Sequence, residues 1–456
     1  MANRTLIKNA YVITMDPALG DLEDADILIE GTRIAEIRQG IEAEADEVVD
    51  ASGMVATPGL VDTHRHMWQG VLRNSEPDTD LGGYLERILG EFATGYRPQD
   101  VYAGNLLGAV TAVNSGVTSI LDWSHISRTP DHANEAIRAL RDAGLRAVYA
   151  HGSDPTEPDS AGPDTTVPHT ADIRRVREEH FSSDDQLVTM AMALRGPDFA
   201  SYEMTRGDMR LARELDIPIS VHVGVAEFGP VRRSVAWMHE EGLLGPDITF
   251  IHCTRCSDEE LRMIADCGAT VSVASTIEMQ MGHGIPPFDR LEAAGIRPSL
   301  SVDVETSAPG DMFAQLRGSH YVSRMLANER RAAGEDVSLP STRDALSWGT
   351  IEGARALGVD DRTGSLIPGK EADLVIYDLD TLNMIPVNDA LGGIVLGAEA
   401  ANVSWVFVAG RVLKRNRELV GVDLDQLSRL VHESRDELYQ HVGRSPIGPH
   451  RRAVEA

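Results

Sequence analysis

Residues 58–66 read Pro-Gly-Leu-Val-Asp-Thr-His-Arg-His, and they place two histidines directly after an apolar run that starts at Met54. In a β-strand, alternate side chains point to the same face. His64 and His66 are therefore predicted to project together, with Arg65 projecting away from them. Two imidazoles on one face at the end of a strand can supply two ligands to a borderline metal ion such as zinc. The alternative is a surface strand with two unrelated histidines, because a His-x-His pair alone is a weak signal.

Length and composition restrict the class of protein. The chain has 456 residues, which is long enough for a large barrel and an accessory domain, and its apolar content of 42% is ordinary for a globular protein. The formal net charge of -29 argues against nucleic acid and anionic membrane surfaces as partners, because both require clusters of Lys and Arg. The N-terminal segment lacks the pattern of a signal peptide, and no apolar run reaches the roughly 20 residues of a spanning helix. We therefore expect a cytoplasmic protein whose partner is a small molecule.

Three cysteines occur, at Cys253, Cys256 and Cys267, which is too few for a disulfide framework and fits a reducing compartment. The first two form a Cys-x-x-Cys pair. A redox or zinc role would require a helix N-terminus or a second such pair, and neither is evident in the sequence. Incidental small apolar cysteines are the simpler interpretation.

From residue 54 onward, β-rich runs alternate with helical ones. Eight apolar, β-branched runs lie at 54–61, 117–122, 146–150, 187–193, 218–223, 248–252, 270–275 and 298–302. Helical stretches, such as 98–114 and 257–267, separate most of them. This count is typical of an α/β fold, the (β/α)8 TIM barrel. A doubly wound sheet is the alternative, but it rarely combines eight strands with polar residues at almost every carboxyl end.

The two ends of the chain differ from the middle. Residues 5–50 predict short strands with tight turns, and residues 364–377 and 403–413 have the same character. The economical interpretation is one small β-sandwich domain formed by both chain ends, residues 1–57 plus 361–456, which also holds a C-terminal helix. The barrel, residues 58–360, would then be inserted between the two halves of this domain.

Polar residues collect at the carboxyl ends of the predicted barrel strands, where TIM barrels carry their active sites. In chain order they are His64 and His66, Asp122 to His125, His151, Arg195, His222, His252, Ser275 and Thr276, and Asp303. Histidines scattered at random would not collect in this way. The sequence therefore predicts the functional site at this end of the barrel.

Together these features resemble the amidohydrolase superfamily, in the branch of cytosine deaminase, guanine deaminase and the triazine hydrolases (chlorohydrolases). The resemblance covers nearly the whole chain. It rests on residues 58–66, on His222 and His252 at strands five and six, on Asp303 at strand eight, and on the closing segment 368–374, Pro-Gly-Lys-Glu-Ala-Asp-Leu. These motifs are specific for the superfamily and poorly specific for the substrate.

The resemblance implies that His64, His66, His222 and Asp303 hold one divalent metal ion, zinc in the first place and iron as the alternative. Such a ligand set leaves a position open for water, whose pKa the metal lowers toward ~7. The resemblance implies that His252 contacts this water or the oxygen or nitrogen being attacked. Asp303 can pass the proton of the water to the leaving group, and His252 can stabilise charge on the tetrahedral intermediate.

The metal count follows from the end of strand four. Binuclear relatives bridge two metals there with a carboxylated lysine or a glutamate. Here the charged residue is Arg195, and a guanidinium stays protonated and cannot be carboxylated into a ligand. The resemblance therefore implies a single metal.

One departure concerns proton transfer. Deaminases of this branch carry a Glu three residues after the histidine of strand five, but here that position is Val225. Glu227 lies two residues further on, where a loop can swing it back as a catalytic residue; a surface glutamate is an equal alternative. The missing Glu leaves room for hydrolysis of a C–N or C–halogen bond whose leaving group needs less protonation.

Further side chains near the strand ends are predicted to face the substrate: Trp68, Gln69, His125, His283 and Glu305. Gln69 resembles a glutamine with which guanine deaminase binds its base, and a side-chain amide offers a donor and an acceptor to a heterocycle. Packing is the alternative for Trp68, and capping of the next helix is the alternative for Glu305. We interpret His151 and His320 as structural.

Two functions from different classes remain. The first is a metal-dependent hydrolase that uses a metal-activated water on a nitrogen heterocycle or a related small C–N compound, as a deaminase or an amide or halide hydrolase. The second is a non-catalytic scaffold protein on the same fold, although such proteins typically lose metal ligands and this chain keeps them. Relatives often form dimers or larger assemblies, so the resemblance also implies a homo-oligomer.

Overall fold

The computed structural model of the protein describes residues 3–157, 159 and 164–448. The strands, numbered along the chain, are β1 Arg4–Ile13, β2 Asp21–Glu30, β3 Arg33–Arg38, β4 Glu47–Asp50, β5 Met54–Pro58, β6 Leu60–Arg65, β7 Val117–Ser124, β8 Arg146–Gly152, β9 Val188–Leu194, β10 Ile219–Val223, β11 Ile248–His252, β12 Thr270–Val273, β13 Ser299–Leu300, β14 Leu374–Asp378, β15 Val403–Val408, β16 Arg411–Arg415 and β17 Glu418–Leu419. The helices are α1 Leu81–Tyr84, α2 Pro98–Asn114, α3 Pro130–Ala143, α4 Asp172–His180, α5 Gly196–Phe199, α6 Tyr202–Glu214, α7 Phe228–Arg232, α8 Ser234–Glu240, α9 Asp258–Asp266, α10 Ser275–Gln280, α11 Phe288–Ala293, α12 Met312–Ala332, α13 Thr342–Trp348, α14 Ile351–Ala356, α15 Ala390–Gly397 and α16 Leu424–His441. Short helical segments of other pitch lie at Met67–Leu72, Leu85–Glu91, Phe92–Gly95 and Ala400–Asn402.

Strands β6 to β13 form the barrel, and each pairs in parallel with the next along the chain. The barrel closes where Arg65, at the end of β6, pairs in parallel with Asp303, which follows β13. Here the backbone N–H of Asp303 donates to the carbonyl of His64, and that of His66 donates to the carbonyl of Asp303, each at 2.9 Å. The predicted (β/α)8 barrel is confirmed, and the closure itself brings two predicted metal-binding segments together.

Gly59 separates the barrel from the second sheet. The sequence predicts a single strand over 54–61, and this boundary is wrong, because the structure divides the run into β5 and β6. Both halves are buried on both faces, so the apolar pattern continues across the boundary. A Cβ at Gly59 would lie 2.0 Å from Oγ1 of Thr118, so glycine is required where the chain passes from one sheet to the other.

The strands from both chain ends form one mixed sheet, as predicted. Its order in the described ranges is β17-β16-β15-β14-β5-β1-β2-β3, with β4 beside β1. Arg146, at the start of β8, joins this sheet to the barrel, because its Nε donates to Asp373 Oδ2 at 2.8 Å and its Nη2 donates to Glu371. The domain boundaries 57/58 and 360/361 stay a prediction, and residues 1–2 and 449–456 of the predicted composite domain lie outside the described residues.

Helices cover the outside of the barrel. α2 and α9 lie where the sequence predicts helices over 98–114 and 257–267. Across the described ranges, each helix is too short or too polar to cross a bilayer. The layer between the sheet and these helices is apolar, whereas buried hydroxyl groups of Thr63, Ser272, Ser299 and Ser301 contact one another across the barrel strands.

Candidate active site

Three strand ends bring four metal-binding side chains together. His64, His66, His222 and Asp303 each offer one ligand atom, and these atoms all lie within 4.8 Å of one another. Nε2 of His64 lies 3.2 Å from Oδ1 of Asp303 and 3.2 Å from Nε2 of His222, while Nε2 of His66 lies 3.3 Å from the same carboxylate oxygen. Ligand atoms about 2.1 Å from a zinc ion are about 3 to 3.6 Å apart when a fifth position is kept for water. The arrangement therefore has the dimensions of a zinc site.

The charge states also fit a metal ion. Burial lowers the pKa of His64 to about 4 and holds the pKa of His222 well below its ordinary value. Burial by itself would raise the pKa of Asp303, but contacts with His64 and His66 outweigh it and hold this pKa well below its usual range. Neutral imidazoles and a carboxylate are the forms that bind zinc.

Two residues of the site have a backbone conformation that L-residues rarely adopt. The φ angle is 72° at His252 and 66° at Asp303. A non-glycine residue in this left-handed region costs of order 1–3 kcal/mol, and such residues cluster at functional sites. At Asp303 the pairing with β6 on both sides of the residue compensates the strain.

His252, at the end of β11, lies beside the predicted ligands. Its Nε2 is 3.7 Å from Oδ2 of Asp303, and its Nδ1 is 3.2 Å from Oε1 of Glu278. Burial lowers the pKa of His252, but the hydrogen bond to Glu278 and the charge of Asp303 outweigh it, so the pKa is raised. His252 is therefore held as a hydrogen-bond donor that faces the position between the ligands and the cavity.

Sequence reasoning missed Glu278. This residue is fully buried in α10, and its Oε1 also accepts the backbone N–H of Ala274 at 2.9 Å. An acidic residue five positions after the end of β12, within Ser275-Thr276-Ile277-Glu278, was the available signal. The contact with His252 spans two strand ends and leaves no local pattern.

A backbone carbonyl orients His66. Nδ1 of His66 donates to the carbonyl of Trp123 at 3.1 Å, which turns Nε2 toward the other ligands, as outer-shell partners of zinc ligands do. Nδ1 of His125 lies 3.0 Å from the same nitrogen of His66. His125 is thus in contact with the site, and burial holds its pKa well below the ordinary value.

A cavity of about 300 Å³ opens above the ligands. Its lining includes the predicted residues His66, His125, His222, His252, His283 and Asp303, and it also includes Tyr84, Ser153, Arg195 and Val225. The ring of His283 packs edge-on against His252 with centroids 4.7 Å apart, and both its nitrogens are buried without a hydrogen-bond partner in the described structure. His125 and His283 are therefore placed where a substrate would bind.

Trp68 and Gln69 lie behind the cavity wall and not in its described lining. Trp68 is completely buried and packs against Tyr96 and His125, with centroids 4.8 and 5.4 Å apart, which agrees with the packing alternative. Nε2 of Gln69 donates to the hydroxyl of Tyr84 at 2.6 Å. Since Tyr84 lines the cavity, Gln69 can act on a substrate only through this tyrosine.

Glu305 belongs to a buried ion-pair network. Its Oε1 accepts from Nη1 of Arg65 at 2.7 Å and its Oε2 accepts from Nε of Arg73 at 2.7 Å. It does not cap the next helix, because Asp311 has that role in α12. Arg65 points away from the histidines, as predicted, and also donates to Asp62 at 2.7 Å. Both oxygens of Glu305 are therefore occupied, and its position gives the predicted substrate contact no support.

Glu227 lies outside the cavity. Its side chain is exposed at the start of α7, whereas Val225 is buried and lines the cavity. Positive φ angles at Gly224 (67°) and Ala226 (46°) turn the chain outward after β10. The catalytic role predicted for Glu227 stays a prediction without support from this geometry.

A sequence profile of the amidohydrolase family matches residues 55–413, most of the chain. The chain belongs to the amidohydrolase family. It is 28% identical to a 5'-deoxyadenosine deaminase from Methanosarcina acetivorans over 445 residues, 95% of this chain and 98% of that relative. It is 26% identical to a 5-methylthioadenosine/S-adenosylhomocysteine deaminase from Thermoanaerobacter pseudethanolicus, over 95% of this chain and 99% of the relative.

Solved amidohydrolase structures share the fold. An adenosine deaminase from Xanthomonas campestris with bound zinc superposes with a TM-score of 0.83 and 24% identity, over 96% of this chain and 98% of the other. An atrazine chlorohydrolase from Arthrobacter aurescens, in complex with zinc and atraton, has a TM-score of 0.84 and 22% identity, over 94% and 100%. Family membership confirms the prediction of a metal-dependent amidohydrolase-type enzyme for a small molecule.

Proposed function

We propose that this amidohydrolase is a one-zinc aminohydrolase, which removes an amino group from an uncharged nitrogen heterocycle. One observation supports the proposal most directly. A complete set of potential metal ligands, His64, His66, His222 and Asp303, lies beside a cavity whose lining includes His252. The deaminase names of the relatives favour amine hydrolysis over other reactions of the family.

The cavity wall indicates the kind of substrate. Apolar side chains cover most of it: Leu81, Leu85, Leu89, Phe199, Phe228 and Met281. Within the described lining, Asp303 is the single carboxylate, and it faces the metal ligands. A substrate with free hydroxyl groups would lose hydrogen bonds to water against these walls. A flat ring with apolar substituents therefore fits better than a ribonucleoside.

Each residue of the site has a separate role in the proposed reaction. A zinc ion held by these four ligands would supply Lewis acidity, which makes hydroxide available from water at neutral pH. Asp303 holds the proton of the attacking water at Oδ2, the oxygen nearer to His252. His252 donates a hydrogen bond from Nε2 to the oxygen or nitrogen on which negative charge develops, while Glu278 holds its Nδ1.

Arg195 supports the single metal. It follows β9, and its guanidinium donates to the carbonyl of Val167 and lies 3.9 Å from Asp208. A guanidinium cannot serve as a bridging ligand. Zinc suits three imidazoles and one carboxylate better than other divalent ions of the cell, with iron as the alternative. Elemental analysis of protein purified without chelator should give about one zinc ion per chain.

Halide hydrolysis is the second candidate. The observation in its favour is Val225, which puts an apolar side chain where deaminases carry a proton-transferring Glu. Chloride leaves without protonation, so this reaction needs no acid at that position.

A paired assay distinguishes the two reactions. Zinc-loaded protein is incubated with amino-substituted purines, pyrimidines, pterins and triazines and with their chloro analogues, and ammonia and chloride are measured. Ammonia release that Asp303→Asn abolishes supports the aminohydrolase. Chloride release alone supports the second candidate, and absence of both products would return the non-catalytic scaffold to consideration.

We also propose a cytoplasmic homo-oligomer. The free cysteines Cys253, Cys256 and Cys267 agree with a reducing compartment. Tyr321 and Met325 are exposed, one turn apart on α12, and so provide apolar surface for a subunit contact. Light scattering coupled to size exclusion should give at least twice the mass of one chain, and a charged residue at Met325 should reduce it.

A further inference from the structure

A series of polar side chains in contact with one another leads away from the cavity wall at Ser153. Oγ of Ser153, in the cavity wall, lies 3.3 Å from Nδ1 of His169. Nε2 of His169 lies 3.0 Å from Nδ1 of His151, at the end of β8. Nε2 of His151 lies 3.9 Å from Oδ2 of Asp172, at the start of α4. The proposed reaction does not use any of these four residues.

The imidazoles of His151 and His169 are both neutral. Burial lowers the pKa of His151, and burial together with the neighbouring His151 holds the pKa of His169 well below its ordinary value. A neutral imidazole has one N–H donor and one nitrogen acceptor. The two rings are bonded to each other, so the tautomer of one decides the tautomer of the other.

Asp172 determines which nitrogen of His151 carries the proton. Burial raises its pKa, but contacts with His151 and Arg175 outweigh burial, so the pKa is lowered and the carboxylate is ionised. Arg175 donates to its two oxygens from Nε and Nη2, at 2.6 and 2.9 Å, and so holds the group in place. Nε2 of His151 is buried without a hydrogen-bond partner among the described residues, and at 3.9 Å from an anion an N–H there is favoured over a lone pair.

The tautomers then follow one from another. With the proton of His151 on Nε2, its Nδ1 must accept, so His169 donates from Nε2. Nδ1 of His169 is then a lone pair and accepts the hydroxyl hydrogen of Ser153. Ser153 lines the cavity, so its oxygen keeps acceptor capacity for a bound substrate. A serine hydroxyl ordinarily rotates to donate or accept. Here its one hydrogen is already donated to His169, so Ser153 can only accept from a substrate.

We propose that Asp172, His151 and His169 fix Ser153 as an obligate hydrogen-bond acceptor in the cavity, which selects substrates that carry an N–H donor on the ring or its amino group. The inference rests on the proposed aminohydrolase function and deepens it. Ser153 recognises the substrate, while His169, His151 and Asp172 are positioning residues. In a wall that is mostly apolar, an acceptor that cannot donate discriminates an N–H group from a ring nitrogen or an alkylated amine.

The tautomers are tested first, because this test requires no turnover. NMR spectra of zinc-loaded protein labelled with 15N in its histidine rings are recorded, and His151→Gln and His169→Gln assign the two rings. We expect both rings as neutral Nε2–H tautomers. A proton on Nδ1 of either ring, or a doubly protonated ring, would overturn the proposal whether or not the protein is an aminohydrolase.

The selection is tested by binding. Calorimetry compares 2-aminopyrimidine with 2-(dimethylamino)pyrimidine, which lacks the N–H groups, on the wild type and on Ser153→Ala. We expect Ser153→Ala to weaken binding of the amine about tenfold, the usual size of one hydrogen bond, and to leave the dimethyl compound unchanged. Equal effects on both compounds, or no effect on either, would contradict the selection.

The matched control is Ser127→Ala. Ser127 is also buried near a strand end and lies 3.2 Å from the hydroxyl of Tyr149, but it is not in the described cavity lining. Its substitution should change neither the affinities nor the histidine tautomers. A loss of amine affinity in this variant equal to that of Ser153→Ala would show a general packing effect and would overturn the role of Ser153.

Discussion

Oε1 of Glu278 lies 3.2 Å from Nδ1 of His252, and both side chains are almost completely excluded from solvent. The contact leaves Nε2 of His252 as the nitrogen that faces Asp303, at 3.7 Å. A histidine that can otherwise take several orientations is thus held in one of them, with Nε2 toward Asp303.

The first prediction concerns this contact. Glu278→Gln keeps a hydrogen-bond acceptor for Nδ1 of His252 but removes the negative charge that favours the protonated ring. We expect kcat to fall about 10- to 100-fold, the usual effect of losing an outer-shell partner, with KM little changed and zinc content near that of the wild type. Loss of the zinc would contradict this role and would make Glu278 part of the metal site.

Glu227→Gln is the matched substitution of an exposed glutamate. Because Glu227 lies outside the cavity lining described here, we expect turnover and its pH profile to stay within about twofold of the wild type, as for most surface substitutions. A loss of about 100-fold or more, the size of one general acid–base contribution, would restore the catalytic role that the sequence suggested.

Asp303 and His252 should differ in their dependence on metal. Asp303→Asn removes both a ligand charge and the proton acceptor, so zinc binding should weaken and turnover should fall by orders of magnitude even in excess zinc. His252→Asn should keep its zinc while turnover falls. Zinc content by elemental analysis, beside ammonia release, measures both; complete loss of zinc in His252→Asn would make His252 a primary ligand.

Zinc binding should resist acid. Burial lowers the pKa of His64 to about 4 and that of His222 well below 6.5, so protons do not compete for these nitrogens between pH 7.5 and about 5. We expect protonation of His64 and His222 to cost no zinc affinity in this range, and the affinity to fall steeply as the pH approaches 4. Competition with a chromogenic chelator at each pH measures it. A tenfold loss per pH unit beginning near pH 6.5 would show ordinary, solvated histidines.

Glu305→Gln tests whether Glu305 is structural. The substitution removes one charge from the pairs with Arg65 and Arg73, of which Arg65 is completely buried. Breaking a buried pair costs about 3–5 kcal/mol, and the free energy of unfolding from denaturant titration should fall toward that amount. Glu329→Gln, an exposed substitution on α12, is the control. Unchanged stability with a raised KM would instead support the predicted substrate contact.

Much of the architecture was predictable because short stretches of sequence identify each strand and helix. Each barrel strand is a short β-branched run between helical segments, and the active end of a TIM barrel is always at the carboxyl ends of its strands. His64, His222 and Asp303 could therefore be brought to one place from their positions along the chain, and the structure places their ligand atoms together. The exception is Gly59, where the chain passes from one sheet to the other. Both strands beside it are buried, so the apolar pattern is continuous and did not reveal the boundary.

Tertiary structure decided what surrounds the ligands. Spacing along the chain put Glu227 near the site, but the backbone turn after β10 carries it outward and leaves Val225 in the wall. Glu278 reaches His252 from another strand end, and His169 comes from a loop to join His151. By itself, the sequence determined the barrel and the residue types at its strand ends. Only the fold determined which side chains meet there, because such contacts depend on the direction of loops and short helices, for which no periodic pattern exists.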